Sequence, residues 1–127
     1  LGAEMSVLLY PELSYKIFGL AMEVHSKLGS GFLEKVYENA LMVLFNREKI
    51  EAEQQKAIPV KFENEVVGHY VCDILVENKI LLELKTVDAI SDVHRAQVIN
   101  NLKATGKHLG LILNFKNMRL EYERVVL

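Results

Sequence analysis

Val71-Cys72-Asp73-Ile74-Leu75-Val76-Glu77-Asn78-Lys79-Ile80-Leu81-Leu82-Glu83-Leu84-Lys85 reads as two apolar strands around a short polar turn, with charges set inside the apolar runs. Ionised groups are seldom placed in such runs without a partner, because taking them out of water is costly. Alternation puts Glu83 and Lys85 on one face of the second run, with Leu82 and Leu84 on the other, while Asp73 shares a face with Leu75. A three-residue loop, Glu77-Asn78-Lys79, pairs Val76 with Ile80 and sets Asp73 opposite Glu83. A two-residue turn would put the two acids on opposite faces. Convergence of Asp73, Glu83 and Lys85 therefore requires the longer loop or a bulge of equal effect.

Working outward, the period of two extends back to Ala52. Strands are expected at Gln54–Phe62, Val66–Val76 and Lys79–Thr86, with a turn at Glu63-Asn64-Glu65. Upstream, Leu13, Ile17, Leu20, Ala21, Val24 and Leu28 recur at helical spacing, and Pro11 suits the start of a helix running to Lys27. Gly29-Ser30-Gly31 breaks the chain, and Ser30 or Gly31 is expected to cap a second helix reaching about Arg47, with Leu33, Val36, Ala40 and Leu44 as its buried stripe. Downstream, Ser91 or Asp92 caps a third helix that ends at Gly106. Its apolar stripe is Ala96, Ile99 and Leu102; its polar stripe is His94, Gln97 and Asn101. Strands at Leu109–Phe115 and Arg119–Val126 follow, joined by a turn at Lys116-Asn117. The order ααβββαββ predicts an α/β fold, a mixed α+β sheet with helices packed on it.

At 127 residues the chain fits one domain, expected to span 1–127, with residues 1–10 a flexible or added lead-in and Met5 a candidate native start. Half of the residues are apolar and a quarter charged, an ordinary globular composition. No apolar run approaches the roughly 18 residues that span a bilayer, so no membrane partner is expected. The first dozen residues lack the basic start and long apolar block of a signal peptide. The single cysteine, Cys72, excludes an internal disulfide framework, suits a cytoplasmic location and reads as a small core residue. A net charge of −2 argues against a tight, non-specific DNA binder, yet leaves room for a nuclease, whose catalytic carboxylates themselves lower the charge.

Asp73 and Glu83 side by side would repel unless a cation intervened. Mg²⁺ or Mn²⁺ suits them, taking carboxylate oxygens, a backbone carbonyl (here Leu84) and waters, and lowering the pKa of a bound water. Lys85, pointing into the same site, could position the attacking water and steady developing negative charge. The ordinary alternative is a Glu83–Lys85 ion pair on a solvated face. Glu34 has two readings as well: favourable charge near a helix N-terminus, worth ~0.3–1 kcal/mol, or an acid reaching over the sheet to the metal, directly or through water. Tyr37 reads as a core-edge residue or a nucleic-acid contact, and Gln97 as a solvated residue or one that orders water or holds Lys85. The four histidines show no zinc-type spacing; His94 alone is kept as a phosphate contact. Lys16, Lys27, Lys35, Arg95, Lys103 and Lys107 are further candidates, Lys35 and Lys103 foremost.

Gly31-Phe32-Leu33-Glu34-Lys35-Val36-Tyr37 reads as G-x-x-E-x-x-Y. With Asp73, Glu83-Leu84-Lys85 and Gln97, it resembles the GxxExxY family, a branch of the PD-(D/E)XK nuclease superfamily. The similarity runs from about Leu13 to Phe115 and includes Glu23 to Gly29 and Gly110 to Phe115. It implies a restriction-endonuclease-like αβββαβ core, here with an extra N-terminal helix and a C-terminal strand. It also implies metal ligation by Asp73 and Glu83, a catalytic Lys85, an accessory Glu34, and a Gln97 matching the helix glutamine of nucleases of the RecB type. Those usually carry a tyrosine four residues later, where this chain has Asn101; many place proline before the aspartate, where it has Cys72.

The function expected from this set is divalent-metal-dependent hydrolysis of phosphodiester bonds in DNA, ahead of RNA, with homodimerisation as a route to a longer groove. The alternative is a non-catalytic nucleic-acid-binding or protein-assembly module that kept the fold. A plain structural protein would leave three buried charges unexplained.

Overall fold

The computed structural model describes residues 9–127. The expected lead-in therefore lies mostly outside the described residues. Leu9 and Tyr10, however, pack on the core, and Lys79 Nζ stands 5.6 Å from the Tyr10 ring. Two helices come first, α1 (Pro11–Leu28) and α2 (Glu34–Arg47). Three strands follow, β1 (Ala52–Phe62), β2 (Glu65–Val76) and β3 (Ile80–Lys85). Then come α3 (Asp92–Thr105), β4 (Leu109–Asn114) and β5 (Glu121–Val126). The five strands form one sheet in chain order. All neighbours are antiparallel except β3 and β4, which run parallel across the α3 crossover.

Side-chain alternation divides the core into two layers. Ile80, Leu82 and Leu84 of β3 join Leu109, Leu111 and Leu113 of β4 under α1 and α2. Leu81 and Ile112, on the opposite face, meet Val98 and Leu102 of α3. The face assignment expected for Leu82 and Leu84 holds. Helix α3 lies close on β4 because position 110 is glycine: a Cβ there would stand 2.6 Å from Val98 Cγ1.

Two expected stripes hold only in part: Ala40 and Leu44 of α2 and Ile99 and Leu102 of α3 pack on the core. In α2 the buried residues are Tyr37, Glu38, Leu41 and Phe45, whereas Leu33 is 79% exposed and Val36 38%. The sheet and Phe115, stacked on Tyr37, select the other face, and the helix also starts later than expected. Neither Ser30 nor Gly31 caps it; Leu33 does, with an extended backbone, and the first helical residue is Glu34. The i, i+4, i+8 row of Tyr37, Leu41 and Phe45 then faces the sheet. In α3 the expected Ile99 and Leu102 do pack on the sheet, joined by Val98, and only Ala96 is exposed, since the larger side chains claim the contact over Gly110.

Candidate functional site

The turn between β2 and β3 has the required geometry. Lys79 N–H donates to Val76 O at 2.9 Å, Glu77 and Asn78 have positive φ, and pairing resumes with Val76 opposite Ile80. The ladder continues through Leu75–Leu81 and Ile74–Leu82, then stops. Beyond that rung β2 and β3 fork, with Asp73 on one branch and Glu83, Leu84 and Lys85 on the other. Asp73 reaches across: its Oδ2 accepts the Leu84 N–H at 2.8 Å. The N–H and C=O of one strand residue point the same way, so the Leu84 carbonyl also faces the fork.

A second irregularity sits at the same level. Ala52, Ile74 and Val76 pack under α1 and α2, whereas Ile58, Tyr70 and Cys72 pack under α3. All six positions are even-numbered, so an unbroken pair of strands would keep them on one face. The change of side falls between the rungs Gln54–Ile74 and Lys56–Cys72, where the Gln55–Asp73 rung is missing and Gln55 takes φ 49°. Asp73 thus lies at a fault in the ladder, beside the fork.

Glu83 is largely enclosed, and its Oε1 is buried with no hydrogen-bond partner among the described residues. Burial pushes its carboxyl up to about 7; the positive field of Lys85 pulls it down, and the negative field of Glu34 pushes it further up. Glu34, in the first turn of α2, is exposed, and its Oε2 lies 3.4 Å from Thr86 Oγ1. Among the described residues no three His, Cys, Asp or Glu side chains gather tightly enough to hold an ion by themselves. Any ion at the fork would rest on the Asp73–Glu83 pair with backbone and water oxygens. An unpartnered buried carboxylate oxygen on one branch of the fork, with a second carboxylate on the other branch and an inward carbonyl, offers the oxygen donors that a hard divalent cation prefers.

Residues 11–125 match the sequence pattern of the PD-(D/E)XK nuclease superfamily. The chain belongs to the PD-(D/E)XK nuclease superfamily. Its fold is similar to that in the crystal structure of SSO0001, at 14% identity and a TM-score of 0.54. That alignment covers 72% of this chain and 50% of the other, so the chain spans about half of that relative's length. No curated protein matches it. The restriction-endonuclease-like architecture read from the sequence is the architecture observed. PD-(D/E)XK nucleases generally use divalent metals, and the superfamily implies a nucleic-acid substrate.

Within this PD-(D/E)XK domain several expected residues take other parts. Tyr37 is fully buried and stacked on Phe115 at 4.5 Å. Its hydroxyl donates to Gly29 O at 2.6 Å and accepts the Phe32 N–H at 3.3 Å. It pins the loop that delivers Glu34 and has no surface for a nucleic acid. His94 Nδ1 accepts the Ser91 N–H at 3.1 Å, closing the start of α3. Gln97 is exposed on α3. Most of the expected phosphate contacts are already paired: Lys16 with Glu48, Lys27 with Glu23, Lys35 with Glu38, and Arg95 with Asp92 and Glu123. Lys107 donates to Asn78; Lys103 is exposed in the last turn of α3. As expected, Cys72 is a core residue, its thiol pushed up to about 11 by burial.

Two residues at the site escaped the sequence reading. Glu38 is 4% exposed and accepts from Lys35, Gln54 and Gln55 at 3.1, 2.6 and 2.9 Å. Gln55 in turn lies 3.5 Å from Asp73 Oδ1. The available signal was the Glu34–Glu38 spacing, which places a second acid on the same helical face.

Beyond the site, buried Asn114 secures the segment after Lys85. Its Oδ1 accepts the Val87 N–H at 3.0 Å, and its Nδ2 donates to Val87 O and Glu121 Oε1, both at 2.8 Å.

Proposed function

We propose that the fork between β2 and β3 is the active site of a divalent-metal-dependent nuclease of the GxxExxY type, hydrolysing phosphodiester bonds in DNA ahead of RNA. The observation that carries this reading is the buried, unpartnered Glu83 Oε1 in the field of Lys85, on the branch of the fork opposite Asp73. An isolated buried carboxylate of this kind is destabilising in a plain scaffold and useful where charge must be gathered.

Asp73, Glu83 and the Leu84 carbonyl would hold Mg²⁺ or Mn²⁺. When bound, such an ion acts as a Lewis acid toward a phosphoryl oxygen and eases deprotonation of water. The chain's own groups supply the rest. Lys85, on the same face of β3 as Glu83, orients water and offsets negative charge growing on the phosphoryl oxygens. Glu34, exposed in the first turn of α2, acts through water. Gln97, exposed on α3, orders water, while Lys103 on the same helix and His94 at its start contact the phosphate backbone; Lys35 can join them only by giving up Glu38.

A second reading, a binding or assembly module without catalysis, draws support from the pairing of Lys16, Lys27 and Arg95 with acids and from the net charge of −2. Cleavage assays separate the two. Duplex, single-stranded and branched DNA and RNA are incubated with Mg²⁺ or Mn²⁺, alongside Lys85→Ala and the Asp73→Ala/Glu83→Ala double variant. Cleavage by the wild type, lost in both variants, supports the nuclease. Cleavage that survives in them refutes this site, and metal binding without cleavage of any substrate favours the module.

A further inference from the structure

We propose that Glu38 and Gln55 form a relay that fixes the orientation of Asp73, so that both are positioning residues for the acidic pair; this rests on the nuclease reading above. Glu38 lies one helical turn after Glu34 on the inner side of α2, 4% exposed. A carboxylate so buried is held in place by its donors, and here, besides Lys35 on the same helix, the donors come from β1. Gln54 Nε2 donates to Oε2 at 2.6 Å and Gln55 Nε2 to Oε1 at 2.9 Å. Adjacent residues of a regular strand point to opposite faces, yet both amides meet one carboxylate. The left-handed backbone of Gln55, φ 49°, turns its side chain back.

A positive φ in a non-glycine strand residue is unfavourable and persists only where its surroundings over-determine it. Here it occurs at the rung that faces Asp73 and is missing from the ladder. The same Gln55 amide stands 3.5 Å from Asp73 Oδ1, at the limit of hydrogen bonding, while Leu84 N–H holds Oδ2 at 2.8 Å. Asp73 is therefore approached by a side-chain donor from β1 and a backbone donor from β3, and each oxygen keeps lone-pair capacity for the fork. A simple clamp between α2 and β1 would need Gln54 alone. Routing a second amide through a strained residue beside Asp73 points to orientation of that carboxylate.

Gln55→Gly separates orientation from scaffolding, because it deletes the amide while glycine takes the positive φ without steric cost. Mn²⁺ affinity is measured by titration calorimetry, and melting temperature is measured in chelator. The expected result is a roughly 10- to 100-fold weaker Kd, with the metal-free protein melting at or above the wild type. Glu38→Gln, which keeps the shape but removes the charge that holds the amide, is expected to weaken Mn²⁺ binding as well. The double variant is expected to lose no more than the worse single one, as for groups acting in series. A Gln55→Gly Kd within twofold of wild type, losses that multiply in the double variant, or a metal-free protein melting well below wild type would each overturn the relay. Wild-type protein that binds no Mn²⁺, or binds it equally well after Asp73→Ala, overturns the metal site itself and the relay with it. Binding that Asp73→Ala abolishes and Gln55→Gly leaves intact overturns the relay alone.

Discussion

Replacing Glu83 with glutamine removes a charge that the fold holds at a disadvantage. The carboxyl titrates near 4.5 when free and is pushed up to about 7 in the folded protein, chiefly by burial. Below pH 4.5 the group is protonated in both states and carries no penalty. Between 4.5 and about 7 the unfolded chain releases the proton while the folded chain retains it, so the folded state binds more protons and stability falls as pH rises. Above about 7 Glu83 is ionised in both states and the penalty is complete. At about 1.4 kcal/mol per pH unit the displacement amounts to ~3 kcal/mol. Glutamine escapes most of this, since a buried amide without a full set of partners costs roughly 1–2 kcal/mol less the bonds it finds. The net gain is then on the order of 1–3 kcal/mol, or very roughly 5–10 °C in melting temperature for a chain of this size.

The assay is thermal unfolding of wild type and Glu83→Gln in chelator from pH 4 to pH 8.5. The two proteins are expected to melt together at pH 4 and to separate progressively, the variant becoming the more stable above pH 7. Mn²⁺ at a hundred times its Kd should then raise wild-type stability by ~2.7 kcal/mol and leave the variant nearly unmoved, while the variant loses cleavage. A gap independent of pH, or a variant no more stable than wild type at pH 8, would refute the account of Glu83 as a strained carboxylate.

Lys85→Ala removes the positive field that pulls Glu83 down, so the Glu83 titration followed by NMR should move above about 7; an unchanged or lower value would show that Lys85 does not act on it. Gly110→Ala forces Val98 to shift from a 2.6 Å clash and should cost ~1–3 kcal/mol by overpacking, measured by urea denaturation; a neutral result would mean that α3 rides further from β4. Tyr37→Phe deletes the hydroxyl between Gly29 O and Phe32 N–H and should cost ~1–2 kcal/mol, with faster amide hydrogen exchange confined to residues 29–34. Exchange unchanged there would release Tyr37 from its role in placing Glu34.

The element order, the three-residue β2–β3 loop and the faces of β3 were legible in the chain, because they depend on local chemistry. Alternation is fixed by the backbone, and Glu77-Asn78 tolerates the positive φ of a tight turn. The charges stranded in apolar runs made Asp73, Glu83 and Lys85 candidates on similar grounds: desolvation cost can be read residue by residue. The rotation of α2 was not legible. Leu33, Val36, Ala40 and Leu44 and Tyr37, Leu41 and Phe45 are both good helical stripes, and only the sheet beneath, with Phe115 stacked on Tyr37, chooses between them. The burial of Glu38, the left-handed turn at Gln55, the change of face at Asp73 and the orphaned Glu83 oxygen all lie beyond sequence patterns. Each arises where segments distant in the chain meet, and the energy that sets a side chain's direction there belongs to neighbours that the local sequence does not contain.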